Sequence, residues 1–163
     1  MEPMLTLGRF LQKMNEYDKA EHYYRLLMTQ PKIDYYLVSL LFMNIGTLFD
    51  KKRAIQMTLN DLPSSLENYE KAISFASEHL PKVHLLLIGI YNNFASALSM
   101  IEDRVKALEY FQTTFDIQAQ FYCSSTEHLD LPVTLNNIGL MYYKIKQYQN
   151  ALEYFGNTTL EDF

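Results

Sequence analysis

What this chain has little of narrows its function before any motif is read. There is one cysteine, Cys123, so no internal disulfide can form, and the cytosol is the natural compartment. Basic residues are in deficit: 14 Lys and Arg stand against 19 Asp and Glu, a formal charge of −5. Nucleic acids and anionic membranes both call for a basic face, so neither is expected as a partner. The one tight basic cluster, Lys51-Lys52-Arg53, reads as a solvated turn. No apolar run is long enough to span a bilayer; the best, residues 35–49, is broken by Ser39, Asn44 and Thr47. The opening Met-Glu-Pro-Met lacks the basic and apolar parts of a secretion signal, so the sequon Asn157-Thr158-Thr159 reads as chance. His22, His79, His84 and His128 are scattered, and no paired cysteines or His-Glu-x-x-His spacing exist. No metal or other cofactor is therefore expected. With no glycine-rich phosphate loop, and no sequence-close carboxylate pair that suggests acid/base work, the chain is not expected to be an enzyme.

What is present is a repeated phrase. A small residue is followed twelve positions later by Ala, and four positions after that by an aromatic. Gly8, Ala20 and Tyr24 form one copy; Ala95, Ala107 and Phe111 another; Gly139, Ala151 and Phe155 a third. A fourth copy is stretched: nineteen positions separate Gly46 from Ser65, with Tyr69 completing it. Such a period is the mark of a solenoid. The chain is expected to be all-α, an α-solenoid of about four antiparallel helix pairs forming a single array. Repeats fall at about 1–33, 34–80, 81–126 and 127–163, with an insertion at about 51–63 that is either an extended first helix or a bulging loop. Apolar residues follow helical spacing, as in Met4, Leu7, Leu11 and Met14, then Tyr17, Ala20, Tyr24 and Leu27. Asn15, Asp34, Ser64, Asp103 and Asp130 are the expected N-caps, with Glu67 completing a capping box after Ser64. Pro132 suits a first helical turn. The small residues let paired helices cross closely, with Ala20, Ala107 and Ala151 facing them and the aromatic filling the groove one turn on.

These residues resemble the tetratricopeptide repeat. The spacing from Ala107 to Ala151, with Leu135-Asn136-Asn137-Ile138-Gly139 and its echo Tyr91-Asn92-Asn93-Phe94-Ala95, looks like the kinesin light chain type. The resemblance implies a scaffold that binds a peptide or partner protein in a concave groove lined by the first helix of each pair. Similar repeats also form tails of larger enzymes, including invertebrate arginine-specific ADP-ribosyltransferases. A repeat tail is thus the alternative reading, although that family's Glu-x-Glu pair is absent here. The chaperone-type carboxylate clamp is not matched: its slots hold Leu5, Arg9 and Asn44, then Gly89 and Asn93.

The expected groove residues are Arg9, Lys13, Asn44, Thr47, Lys51, Asn92, Asn93, Ser96, Asn136, Asn137, Leu140, Tyr143 and Lys144. Among them the asparagines stand out, because mid-helix asparagine is unfavourable. They either bond a partner's backbone or tie one repeat to the next, with one asparagine of each pair doing each job. At the C-terminal edge, Leu152 and Phe155 are expected to be partly covered, with fraying from about Asn157. That edge would suit a further repeat or a second copy.

Overall fold

The structure, a computed structural model, describes residues 2–31, 33–56, 62–122 and 131–158. Among the described residues there are eight α-helices and no strand: α1 (Glu2–Lys13), α2 (Tyr17–Met28), α3 (Tyr35–Gln56), α4 (Leu62–His79), α5 (Leu85–Met100), α6 (Arg104–Tyr122), α7 (Leu131–Lys144) and α8 (Tyr148–Thr158). They fall into two compact units, Met1–Leu80 and Pro81–Phe163. Within the first, α1 packs on α2, α2 on α3 and α3 on α4; within the second, α5 packs on α6, α6 on α7 and α7 on α8.

Three pairs reverse through one and the same turn. Asn15, Glu102 and Lys146 lie at φ 60°, 64° and 65°, each seven positions after the small residue of its copy. Around them, Glu16 N–H donates to the Leu11 carbonyl, Asp103 N–H to Leu98 and Gln147 N–H to Tyr142. This six-to-one closure is a Schellman cap, which satisfies carbonyls that the helix end leaves free. Its left-handed residue is usually glycine, and here never is. The carbonyls of Glu16, Asp103 and Gln147 then receive the N–H of Ala20, Ala107 and Ala151, so the next helix starts at once.

The turn corrects one cap. Asn15 ends α1 in the left-handed region that asparagine tolerates. The N-cap of α2 is Glu16, without a side-chain capping bond. Asp34 and Asp103 do cap: their Oδ1 atoms accept from Leu37 N–H at 2.6 Å and Lys106 N–H at 3.3 Å. Asp130 lies outside the described residues. His84, which no capping rule singled out, caps α5 through Nδ1, which accepts from Leu86 N–H at 3.0 Å.

The stretched copy does not turn at the equivalent position, Arg53. Its α3 continues past Asp50 to Gln56, so residues 51–56 are helix; 57–61 lie outside the described residues. Also corrected is the start of α4, which begins at Leu62 and not at Ser64. Leu62 is buried by this earlier start, and Pro63 is tolerated in a first turn. Ser64 is therefore inside the helix, its carbonyl accepting from Asn68 Nδ2 at 2.6 Å, and Glu67 pairs with Lys71 at 2.5 Å instead of closing a capping box.

The phrase itself takes a sharper physical meaning. The atoms nearest the Cβ position of Gly8, Gly46 and Gly139 belong to the aromatic ring. A Cβ on Gly8 would strike the Tyr24 ring; on Gly46 it would lie 2.7 Å from Tyr69, and on Gly139 2.7 Å from Phe155. Ala20, Ser65, Ala107 and Ala151 are buried, each one turn before the aromatic of its own helix. Tyr24 and Tyr69 are wholly buried, as are Leu41, Ile45, Ile90 and Ile138.

Candidate functional site

The first helices of the last two pairs, α5 and α7, bring expected groove residues together. Asn137 Nδ2 lies 3.4 Å from Asn92 Oδ1, at the long limit of a hydrogen bond. Two turns further along each helix, Lys144 Nζ donates to Ser99 Oγ at 3.0 Å. Ser96 Oγ donates back to the Asn92 carbonyl at 2.9 Å, which leaves its lone pairs available. Asn93 is half-buried. Asn136, Leu140 and Tyr143, spaced one turn apart, are exposed on one side of α7. The result is a polar seam between α5 and α7 with an exposed mixed face beside it.

Helix α6 supports the seam. Gln112 Nε2 donates to Tyr142 Oη at 3.0 Å, and Arg104 reaches the Lys144 carbonyl at 3.5 Å. Tyr142 stacks on Tyr154 with ring centroids 5.4 Å apart. Burial first, then the fields of Tyr142, Glu153 and Asp116, push the Tyr154 phenol above its ordinary range.

In the first unit the expected residues are less uniform. Arg9 and Lys13 are exposed one turn apart on α1, and Lys51 is exposed on α3. Asn44 is buried at 8% exposure, and its Nδ2 has no hydrogen-bond partner among the described residues. Thr47 Oγ1 donates to the Asn44 carbonyl at 2.8 Å. Alternation of exposed charge and buried amide sets this face apart from the α5–α7 seam.

Ser99 is a seam residue that sequence reasoning missed. It sits four positions after Ala95, but a helix serine carries no signal without its cross-helix lysine. Among the described residues, no group of His, Cys, Asp and Glu could hold a metal, and no helix is long and apolar enough to cross a membrane.

A tetratricopeptide repeat family model matches residues 2–29, and another matches residues 133–158. The chain carries tetratricopeptide repeats, and its fold is that of kinesin light chain-like repeat structures. BtubC (BKLC) from P. vanneervenii aligns with a TM-score of 0.78 at 19% identity, covering 99% of this chain and 63% of that one. The chain thus spans less than two thirds of BtubC. A putative kinesin light chain of Podosopora anserina with nearly identical TPR-like repeats aligns with a TM-score of 0.77 at 14% identity, covering 96% of this chain and 72% of that one. At these identities the likeness shows the fold alone. No curated protein matches the sequence significantly.

Proposed function

We propose that this chain is a cytoplasmic, non-catalytic scaffold that binds an extended peptide or partner protein along the first helices of its repeats. The observation that carries the reading is the α5–α7 seam: Asn92, Asn137, Ser99 and Lys144 are held in register beside exposed Asn136, Leu140 and Tyr143. Prearranged polar side chains lower the entropy lost when a partner's backbone docks. On the first-unit helices, Arg9, Lys13, Thr47 and Lys51, with Asn44 buried among them, are the proposed contact residues of that unit by itself. Because Asn92 and Asn137 are occupied with each other, Asn93 and Asn136 are the better assigned to the partner.

Pull-down with the purified chain, followed by mass spectrometry, supplies the partner. Asn93→Ala should then weaken binding by about 1–3 kcal/mol if its bonds are desolvated, with the melting midpoint little changed. Loss of stability with unchanged affinity would overturn the assignment. Exposed Tyr148 and Leu152 on α8 suit a further repeat or a second copy, which sedimentation of the purified chain would reveal. The alternative, a repeat tail of a larger enzyme, is tested by the size of the native protein on an immunoblot.

A further inference from the structure

A cleft of about 200 Å³ opens between α5, α6 and α7. Its walls are aliphatic: Ile88 on α5 and Val133 on α7, with Val133 exposed at the rim. Gly89 forms part of the α5 wall and contributes no side chain to fill the opening. A glycine inside a helix is less favourable than alanine, so the opening is maintained against local helix preference.

The floor is polar and includes a buried acceptor left without a donor. Gln118 lines it at 1% exposure, and its Oε1 has no hydrogen-bond partner among the described residues. An orphaned buried acceptor forfeits its hydration without replacement. Thr114, one turn earlier on α6 and wholly buried, spends its hydroxyl proton on the Tyr110 carbonyl at 2.8 Å. It therefore presents lone pairs. The group that completes this floor must donate, and two acceptors one helical turn apart suit a group with two N–H bonds.

Charge then narrows the class. Among the described lining residues none is ionised, so they offer an ammonium no counter-charge. A hydroxyl has one proton to give. A primary carboxamide is neutral and has two. As to size, an apolar cavity of about 150 Å³ admits benzene, so a short aliphatic stem with its amide fits.

We propose that this cleft receives an aliphatic primary carboxamide, delivered by a glutamine side chain of the partner peptide. The delivery rests on the groove reading above, because Asn92 belongs both to the seam and to the cleft. Recognition of the carboxamide itself needs only this chain.

The test uses the purified chain and isovaleramide as probe, with N,N-dimethylisovaleramide and isoamylamine as controls, followed by NMR. Isovaleramide should give saturable shifts at Thr114, Gln118 and the Val133 methyls, at least fivefold tighter than its dimethyl derivative, and isoamylamine should give none. Gln118→Met keeps the shape and removes the acceptor; it should erase the preference for the primary amide. If that variant fails to fold, Val133→Trp at the exposed rim serves instead and should abolish the shifts. Equal binding of the dimethyl derivative, shifts mapping elsewhere, or no saturable shift would each overturn the proposal. These outcomes are independent of Asn93→Ala and the pulled-down partner, so the carboxamide site and the groove fail separately.

Discussion

The first two helix pairs solve one packing problem with opposite electrostatics. In both, a tyrosine ring lies against a glycine, and the residue four positions after that glycine meets the phenol. In α1 and α2 this residue is Gln12, whose Nε2 donates to Tyr24 Oη at 3.2 Å. In α3 and α4 it is Asp50, which accepts from Tyr69 Oη at 2.7 Å and from Ser65 Oγ at 2.6 Å. Ser65 occupies the slot that is alanine in the other three copies. The departure from alanine thus has a reason: a half-buried carboxylate is better solvated by two hydroxyls than by one. Where the aromatic is Phe111 or Phe155, no phenol needs a partner, and the corresponding positions hold Ser99 and Tyr143. The residue four after the small one is chosen by whether a hydroxyl arrives opposite it.

The largest effect should come from emptying the ring's place. Tyr69→Ala should cost about 3–5 kcal/mol, and Phe155→Ala, at a half-buried ring, clearly less; denaturant unfolding compares them. Next, Ser65→Ala restores the common alanine but strips a donor from the Asp50 carboxylate, and should cost about 1.5–3 kcal/mol. The reciprocal Ala107→Ser brings a hydroxyl without a carboxylate, so a gain there would undo the explanation given for Ser65.

Gly8→Ala should cost about 1–3 kcal/mol through overpacking against wholly buried Tyr24. Gly139→Ala should be milder, because half-buried Phe155 can shift. Equal midpoints for the two variants would contradict the ring-against-glycine geometry.

Alkali separates the two tyrosines. Burial pushes the Tyr24 phenol up to about 12, with Arg9 pulling it down and Tyr23 adding to the rise. Burial, then the Asp50 charge and hydrogen bond, push Tyr69 higher still. A folded-state pKa above the unfolded value means that the native state holds its proton more tightly. The resulting stability is complete below pH 10, the ordinary tyrosine value, and is lost as pH rises beyond it. Each tyrosine should steepen that loss by at most about 1.4 kcal/mol per pH unit. For Tyr24 the loss should level off near pH 12, whereas for Tyr69 it should continue. Comparing Tyr24→Phe with Tyr69→Phe in denaturant at rising pH separates the two contributions.

The smallest effect is at the turn. Glu102→Gly relieves a left-handed residue and should stabilise by about 0.5–1 kcal/mol. Arg53→Gly, at the equivalent position seven after Gly46, falls inside α3 and should destabilise by about 1 kcal/mol. A shared sign for the two would mean that the turn and the continued helix are not the alternatives described here.

Much of this was legible in the chain itself. The phrase from Gly8 to Tyr24 and its copies determined the helix type, the antiparallel pairing and the residues at each crossing, because side chains that meet across a close crossing must be complementary in size. Asp34 and Asp103 announced their helix starts, since an aspartate cap acts through amides only two or three residues away. Tertiary structure decided what depends on partners distant in sequence. Leu62 begins α4 because it finds a buried place, which overrides the capping box at Ser64. Asn15 serves the end of α1 and not the start of α2, because the reversal needs a left-handed residue there. Ser99 joins the seam only when Lys144 arrives 3.0 Å away, and Gln118 marks a cleft only because α5, α6 and α7 close around it. A glutamine or serine on a helix has no preferred side until packing supplies one. Glycine against a ring has only one low-energy arrangement, and that is why the repeats could be read more fully than their polar partners, of which Asn92, Asn137 and Lys144 were legible and Ser99 and Gln118 were not.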